Sequence, residues 1–265
     1  MMKTEKITFK SLGHDIVGVV EYQRELPTEG VILFHGLTNS KDDCPLIKEV
    51  TEALVEEGFA TFRFDFFGSG ESPGMLKDRT WSISKQNAKD AIKYFQDRGV
   101  TKIGLWGRST GGTVAVLLGD KPEIKALVLA TTPVLLQAVF ITRFEKVKRL
   151  EIQLEEKGEK LPGTGEYKGE FKFSNKFFEE VPDVENRIMT KLAGMSKVLV
   201  LATTPDTKVP LNNSTTIINT VREPKEIHIF EGVDHDYKGV ENEAIKLIVS
   251  WFKKYLIYRC SNEKN

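Results

Sequence analysis

The residues of this 265-residue chain that could do chemistry centre on one serine. Ser109 stands in the sequence GRSTGG, directly after the apolar run KIGLW and directly before the helical pattern TGGTVAVLLG. A serine in the pattern G-x-S-x-G between a strand and a helix lies on a sharp turn that presents its hydroxyl group as a nucleophile. Gly107 and Gly111 serve this turn, because a Cβ atom at either position would collide with neighbouring backbone. The pattern predicts nucleophilic catalysis at Ser109, and the alternative is a glycine-rich helix N-cap.

A nucleophilic serine needs a base, and the base is sought among the histidines that follow it. The base takes the hydroxyl proton, and a carboxylate holds the base in one tautomer. Of the four histidines, His228 and His235 come after Ser109. His228 lies within the strand-like run IHIF, whereas His235 lies in the loop sequence GVDHDY. We therefore predict His235 as the base, with a surface loop histidine as the alternative.

The acid should lie just past the strand that precedes the histidine strand. Asp206 has this position, in the sequence VLVLATTPDTKVP. Asp234 and Asp236 flank His235, but adjacent side chains along a loop point apart, so neither easily reaches the imidazole. Asp206 is the predicted acid.

The oxyanion of an acyl-transfer intermediate needs two backbone N–H donors. One is Thr110, which follows the serine, and the other is Leu37, in the loop HGLTNS that follows the run VILF. We expect His35 to shape that loop rather than to act as acid or base. The loop DFFGSGES is expected to be scaffold, with Asp65 as a backbone anchor. This chemistry requires neither a metal nor an organic cofactor.

These residues must be positioned by alternating strands and helices. Short apolar runs typical of strands buried on both faces occur at 31–34, 60–64, 102–106, 126–130, 198–203 and 227–230. Amphipathic stretches of helical spacing occur at 46–57, 82–98, 110–119, 211–221 and from 240 to about 258. The alternation predicts an α/β protein with a mostly parallel central sheet and helices on both faces. The N-terminal segment ITFKSLGHDIVGVVEY predicts an antiparallel hairpin at the sheet edge.

One segment interrupts the alternation. Residues 133–195 are too many for an ordinary connection, so we predict an inserted lid subdomain there, packed on a core formed by residues 1–132 and 196–265. Its aromatic residues either line a pocket or form the core of the insertion. They are Phe140, Phe144, Tyr167, Phe171, Phe173, Phe177 and Phe178.

Composition excludes several classes of protein. Lysine plus arginine and aspartate plus glutamate both number 38, so nothing draws the whole molecule to nucleic acid or to anionic lipid. No apolar run approaches the roughly 20 residues that span a bilayer, and we expect no stable membrane association. The N-terminus lacks the apolar core of a signal peptide. Two cysteines make no disulfide framework, which favours a reducing compartment, and we expect a cytoplasmic protein.

Taken together, these motifs resemble those of the α/β-hydrolase family over nearly the whole chain. HG after a strand, D-x-x-G-x-G-x-S, G-x-S-x-G-G, D-x-x-V-P at 206–210 and the late D-H resemble the branch of monoacylglycerol lipases and cinnamoyl (feruloyl) esterases. RFDFFGSGESPG, T-W-S-I and the glycine-rich insertion with F-S-N-K-F-F look most like the cinnamoyl esterases, whose insertion covers an aromatic-acid pocket. The chain departs from them at Arg108 and Thr110, where those esterases commonly carry His and Gln.

The resemblance implies a serine esterase of α/β-hydrolase fold that acts through an acyl-enzyme formed on Ser109. Its expected substrate is a small aromatic (cinnamoyl or feruloyl) or short-acyl ester. Monoacylglycerol lipase and acyl thioesterase are the alternatives, and a peptidase is less favoured because nothing resembles the N-terminal propeller of such peptidases. A non-catalytic ligand-binding protein on the same scaffold is a rival from another class. The sequence leaves a homo-oligomer open.

Overall fold

A computed structural model describes residues 2–142, 159–160, 167–168 and 174–257. The described protein has a central sheet of eight strands. These are β1 (Lys3–Ser11), β2 (His14–Tyr22), β3 (Glu29–Phe34), β4 (Ala60–Phe64), β5 (Lys102–Arg108), β6 (Ile124–Ala130), β9 (Val198–Thr204) and β10 (Lys225–Glu231). A separate antiparallel pair consists of β7 (Glu159–Lys160) and β8 (Tyr167–Lys168). The order in the large sheet is β1-β2-β4-β3-β5-β6-β9-β10. The six adjacent strands β4, β3, β5, β6, β9 and β10 run parallel, which confirms the predicted α/β class with a mostly parallel sheet.

Helices cover both faces of this sheet, as predicted. They are α1 (Ile47–Glu56), α2 (Trp81–Asp97), α3 (Thr110–Leu118), α4 (Asn175–Glu179), α5 (Val181–Leu192), α6 (Asn212–Thr220) and α7 (Glu241–Phe252). One hydrophobic cluster joins the sheet to α2, α3, α5 and α6, and a second joins it to α1 and α7. The sheet is therefore buried between two helical layers, which explains the uninterrupted apolar runs of its central strands.

The N-terminal hairpin also forms as predicted. β1 pairs with β2 in antiparallel register, with Ser11 opposite His14. Leu12 and Gly13 connect them with φ angles of 50° and 81°, the left-handed pair that matches the twist of a two-residue hairpin. β2 continues the sheet by antiparallel pairing with β4.

One strand prediction was wrong in detail. The run IHIF is not buried on both faces, because β10 is the last strand of the described sheet and pairs with β9 alone. Ile229 is 38% exposed, and His228 faces Glu243 of α7 at 3.2 Å. Ile227 packs partly buried against one helical layer and Phe230 is buried in the other, so both faces of this edge strand are covered only in part.

The predicted interruption of the alternating strands and helices lies between β6 and β9. Its described parts are a π-helical turn at Gln137–Thr142, the β7–β8 pair, α4 and α5. α5 buries one apolar stripe, Val181, Val184, Ile188 and Leu192, in the cluster that contains α3. Phe144, Phe171, Phe173 and the side chain of Tyr167 lie outside the described residues, and the boundaries 133–195 of a lid stay a prediction. Among the described helices, none has the length and apolar character needed to cross a bilayer.

Candidate active site

The turn from β5 into α3 holds Ser109 in a backbone conformation that few non-glycine residues adopt. Its φ and ψ angles are 52° and −128°. A Cβ at Gly107 would lie 2.5 Å from the Cα of Gly112, and one at Gly111 would overlap the carbonyl oxygen of Phe34. The two glycines thus let α3 begin directly against β3 and β5, and this close approach is what forces the sharp turn at the serine.

Ser109 opens into a cavity of about 390 Å³ that His235 also lines. The apolar lining consists of Leu37, Pro45, Pro133, Val139, Phe140 and Val209. The other lining residues are Thr38, Asn39, Asp43, Arg108, Thr110, Lys208 and Asp236. In the part of the chain that the structure describes, no three histidine, cysteine, aspartate or glutamate side chains are arranged to hold a metal ion.

His235 and Asp206 meet beside Ser109. The imidazole Nδ1 lies 2.6 Å from Asp206 Oδ2, and both side chains are buried. The amides of Lys208 and Val209 donate to Asp206 Oδ1, each at 2.8 Å. Burial raises the pKa of the Asp206 carboxyl, but the hydrogen bonds from His235 and from these amides outweigh it, so that the pKa lies below its ordinary value. Asp206 is therefore an ionised acceptor at neutral pH.

The aspartates that flank His235 have other partners. Asp234 accepts a hydrogen bond from the Asp236 amide at 2.9 Å, and the Asp236 carboxylate pairs with Arg108. The described hydrogen bonds do not join the Ser109 hydroxyl to His235, although both side chains line one cavity. Such bonds are often long before substrate binds and tighten in the complex.

Leu37 and Thr110 both line the cavity beside Ser109. Neither backbone amide donates to another described residue. Thr110 is the first residue of α3, and the first amides of a helix have no partner within it and attract negative charge. The buried hydroxyl of Thr110 also lacks a hydrogen-bond partner among the described residues. The carbonyl of Leu37 accepts from Arg79 at 3.3 Å, which holds its loop in place.

His35 has the contacts of a residue that shapes its loop, as the sequence indicates. The Phe66 amide donates to its Nε2 at 3.1 Å, and its Nδ1 lies 2.7 Å from the carbonyl of Gly36. Nδ1 therefore carries the proton. Complete burial, together with the nearby charge of Arg79, holds the pKa of His35 well below its usual range. A neutral imidazole thus joins the loop after β3 to the loop after β4.

Lys41 strengthens the same junction, and the sequence analysis missed it. Its ammonium group is buried and bonds Asp65 at 3.0 Å and Glu71 at 2.7 Å. Asp65 also accepts from the amides of Lys41 and Glu71, which confirms it as an anchor of this loop. A Cβ at Gly70, whose φ is 49°, would overlap the Asp65 carboxylate. Lysine is rarely buried, so its sequence position gives no signal of this role.

The described aromatic side chains of the segment between β6 and β9 divide into two groups. Phe140 lines the cavity. Phe177 stacks on Trp81 at 5.0 Å between ring centres and meets Phe140 edge-on at 5.6 Å. Phe178 packs edge-on against Phe177. Of the described aromatics in this segment, Phe140 therefore forms cavity wall and Phe177 forms the packing behind it.

The strand order, the serine turn and the loops at the ends of β5, β9 and β10 define an α/β hydrolase. The sequence model of one family of these enzymes, Hydrolase_4, described as serine aminopeptidase S33, matches residues 26–162. This match covers more than half of the chain, and the chain belongs to that family.

Solved structures show the same fold. Est1E from Butyrivibrio proteoclasticus, determined with bound ferulic acid, is 18% identical with a TM-score of 0.71, over 95% of this chain and 100% of that one. The esterase domain of a Rhodothermus marinus protein is 19% identical with a TM-score of 0.70, over 96% of this chain and 99% of that one. At these identities the likeness establishes the fold alone.

A relative at the level of sequence is an acyl transferase from Shewanella hanedai. It is 29% identical over 117 residues, which cover 44% of this chain and 38% of that protein. The matched region therefore spans less than half of either protein.

Proposed function

We propose that the protein is a serine esterase that cleaves carboxylic esters through an acyl-enzyme. The observation that carries the proposal is the 2.6 Å contact between His235 Nδ1 and Asp206, formed at the cavity where the Ser109 turn opens. In the proposed reaction, Ser109 Oγ attacks the ester carbonyl carbon while His235 Nε2 takes the hydroxyl proton. His235 then gives this proton to the leaving alkoxide, and Asp206 stabilises the imidazolium.

The oxyanion that forms on the carbonyl would accept hydrogen bonds from the amides of Leu37 and Thr110. Removing one such donor in a serine hydrolase lowers kcat by about 10²–10³-fold. Water, deprotonated by His235, then attacks the acyl-enzyme and releases the acid. Each of these steps uses a residue that lines the cavity or, for Asp206, a residue in contact with one.

The proposed substrates are esters of aromatic or short acyl acids. The cavity of about 390 Å³ has the size of a small-molecule site, and Phe140, Val139 and Val209 give it an apolar side. Est1E, whose structure was solved with ferulic acid, shares the fold. These observations favour cinnamoyl, feruloyl and short-chain esters over long acyl chains.

Acyl transfer is a second candidate, favoured by the partial match to an acyl transferase. It would use the same acyl-enzyme, with an alcohol or an amine in place of water as acceptor. The description of the family as a serine aminopeptidase adds amide hydrolysis as an alternative with the same nucleophile. Acyl transfer differs from ester hydrolysis in the acceptor of the acyl group, and amide hydrolysis differs in the leaving group. All three reactions would use the same site.

The test is a comparison of wild type with Ser109→Ala on p-nitrophenyl acetate, butyrate and decanoate and on methyl ferulate. Glycerol as acceptor and an aminoacyl p-nitroanilide test the alternatives. We expect ferulate or butyrate to rank above decanoate, and we expect Ser109→Ala to lose at least about 10⁴-fold in kcat with an unchanged circular dichroism spectrum. Undiminished turnover by Ser109→Ala would refute the proposal. A preference for decanoate would favour the monoacylglycerol lipase alternative.

A further inference from the structure

Arg108 is a buried cation next to the proposed nucleophile. It is the last residue of β5, its side chain is 3% exposed, and it lines the cavity beside Ser109. A buried guanidinium is costly unless its N–H groups find acceptors, so the residues that supply these acceptors are fixed relative to it.

The guanidinium contacts two other loops of the site. Nη2 donates to the backbone carbonyl of His235 at 2.9 Å and pairs with the carboxylate of Asp236. Nη1 donates to Asn39 Oδ1 at 3.2 Å, two residues beyond Leu37. Arg108 therefore joins the serine turn to the loop of the proposed base and to the loop of a proposed oxyanion donor.

Asp236 supplies the negative charge of this arrangement. Burial raises the pKa of its carboxyl, but the charges of Arg108, Lys208 and His235, with the hydrogen bond from Arg108, together outweigh burial, so that the pKa lies below its ordinary value. Lys208, from the loop that carries Asp206, reaches the same carboxylate at 3.6 Å. Lys208 is largely exposed, so this outer contact adds less than the contact with Arg108, whose guanidinium is buried.

We propose that Arg108 is a positioning residue that sets the place of the His235 main chain relative to Ser109. The contact with Asp206 orients the imidazole ring, but it does not fix the loop on which the ring is carried. A planar guanidinium can hold a carbonyl and a carboxylate together, whereas the ammonium of a lysine is a point charge without this fork. The inference rests on the proposed esterase function.

The test compares Arg108→Met and Arg108→Lys with wild type in ester hydrolysis. Arg63→Met is the matched control, because Arg63 is a buried arginine paired with a buried glutamate, Glu21, and does not line the cavity. Displacement of a catalytic group by about 1 Å can cost about 10²-fold in rate. We expect Arg108→Met to lower kcat about 10- to 100-fold with KM changed less than about threefold, and Arg108→Lys to recover part of this loss.

Arg63→Met should lower Tm and keep kcat within about twofold of wild type. An equal loss of kcat in Arg63→Met would reduce the role of Arg108 to general stability and overturn the inference. Asp236→Asn adds a further requirement. If Arg108 and Asp236 act as one unit, the double variant Arg108→Met/Asp236→Asn should lose no more kcat than Arg108→Met alone. A loss in the double variant equal to the product of the two single losses would contradict a joint role of the two residues.

Two results separate this inference from the proposed function. If wild type hydrolyses esters and Arg108→Met keeps kcat within about twofold, the inference alone is overturned. If wild type neither hydrolyses esters nor reacts with a fluorophosphonate, the proposed function fails and the inference fails with it. Should Arg108→Met not fold, Arg108→Lys decides, since a kcat equal to that of wild type would show that the fork is not needed.

Discussion

The two walls of the cavity are held in different ways. The wall that carries Ser109 and His235 comes from loops at the ends of sheet strands, and hydrogen bonds fix it, including the 2.6 Å contact to Asp206. The wall that carries Phe140 comes from the segment after β6, and aromatic packing on Phe177 and Trp81 fixes it. Hydrogen bonds place single atoms, whereas packing shapes a volume. We therefore expect the first wall to set the rate of the chemistry and the second to set the choice of acyl group.

We expect the largest effect on activity from a substitution in the hydrogen-bonded wall, Asp206→Asn. The variant keeps the shape of the side chain but removes the charge that orients and stabilises the imidazolium. We expect kcat for ester hydrolysis to fall by about 10³–10⁴-fold, with KM little changed. Stopped-flow or steady-state kinetics on p-nitrophenyl butyrate measures this loss.

Asp234→Asn is the matched control, because Asp234 is adjacent to His235 in sequence but accepts from the Asp236 amide instead. Its kcat should stay within about twofold of wild type. Comparable losses in the two variants would mean that Asp206 has no special role.

A substitution in the wall that carries Phe140 should change the selectivity among acyl groups rather than the rate of ester hydrolysis. Phe140→Ala enlarges the cavity where Phe140 contacts it. We expect the ratio of kcat/KM for decanoate over butyrate to rise about tenfold, since one methylene of pocket contact is worth about 1–3 kcal/mol. The ester panel measures the ratio.

Phe177→Ala sharpens this comparison. Phe177 is buried behind Phe140 and does not line the cavity. Its removal should cost about 3–5 kcal/mol of unfolding free energy and change the acyl ratio less than Phe140→Ala does. An unchanged acyl ratio in Phe140→Ala would remove the distinction between the two walls.

The smallest effect concerns the support beneath the hydrogen-bonded wall. Hydrogen bonds from Lys41 and Lys6 lower the pKa of Glu71 from 4.5 to about 2. The stability that the ionised Glu71 contributes is therefore full above pH 4.5 and is lost as the pH falls toward 2. Because the carboxylate is partly exposed, we expect Glu71→Gln to lower Tm by only about 2–4 °C at neutral pH.

This difference in Tm should shrink below pH 4.5 and vanish near pH 2. Thermal unfolding at a series of pH values measures it, with Glu52→Gln on the exposed side of α1 as the control. A difference in Tm that is the same at pH 7 and at pH 3 would show that Glu71 acts by packing and not by charge.

The sequence predicts the fold and much of the site for a physical reason. Buried parallel strands and amphipathic helices have distinct periodicities, so the array of elements can be recognised. The carboxyl ends of parallel strands meet at one edge of a sheet, and this rule brings the loops of Ser109, Asp206 and His235 together without knowledge of any contact.

The long-range contacts of buried charged side chains could not be predicted in this way. Arg108 contacts Asn39 and His235, which are 69 and 127 positions away, and no local pattern links such partners. Lys41 is buried only because the loop after β4 returns Asp65 and Glu71 to it. The half-exposed β10 shows the same limit, since an edge position depends on the neighbours of a strand and not on its own residues.

The most direct test of Ser109 as the nucleophile is mass spectrometry of the protein after reaction with a small fluorophosphonate, followed by peptide mapping. We predict one adduct per chain, on Ser109, formed at least about 100-fold more slowly in His235→Ala because the serine then lacks its base. An adduct on another residue, no adduct on the wild type, or equal labelling rates in wild type and His235→Ala would contradict this prediction.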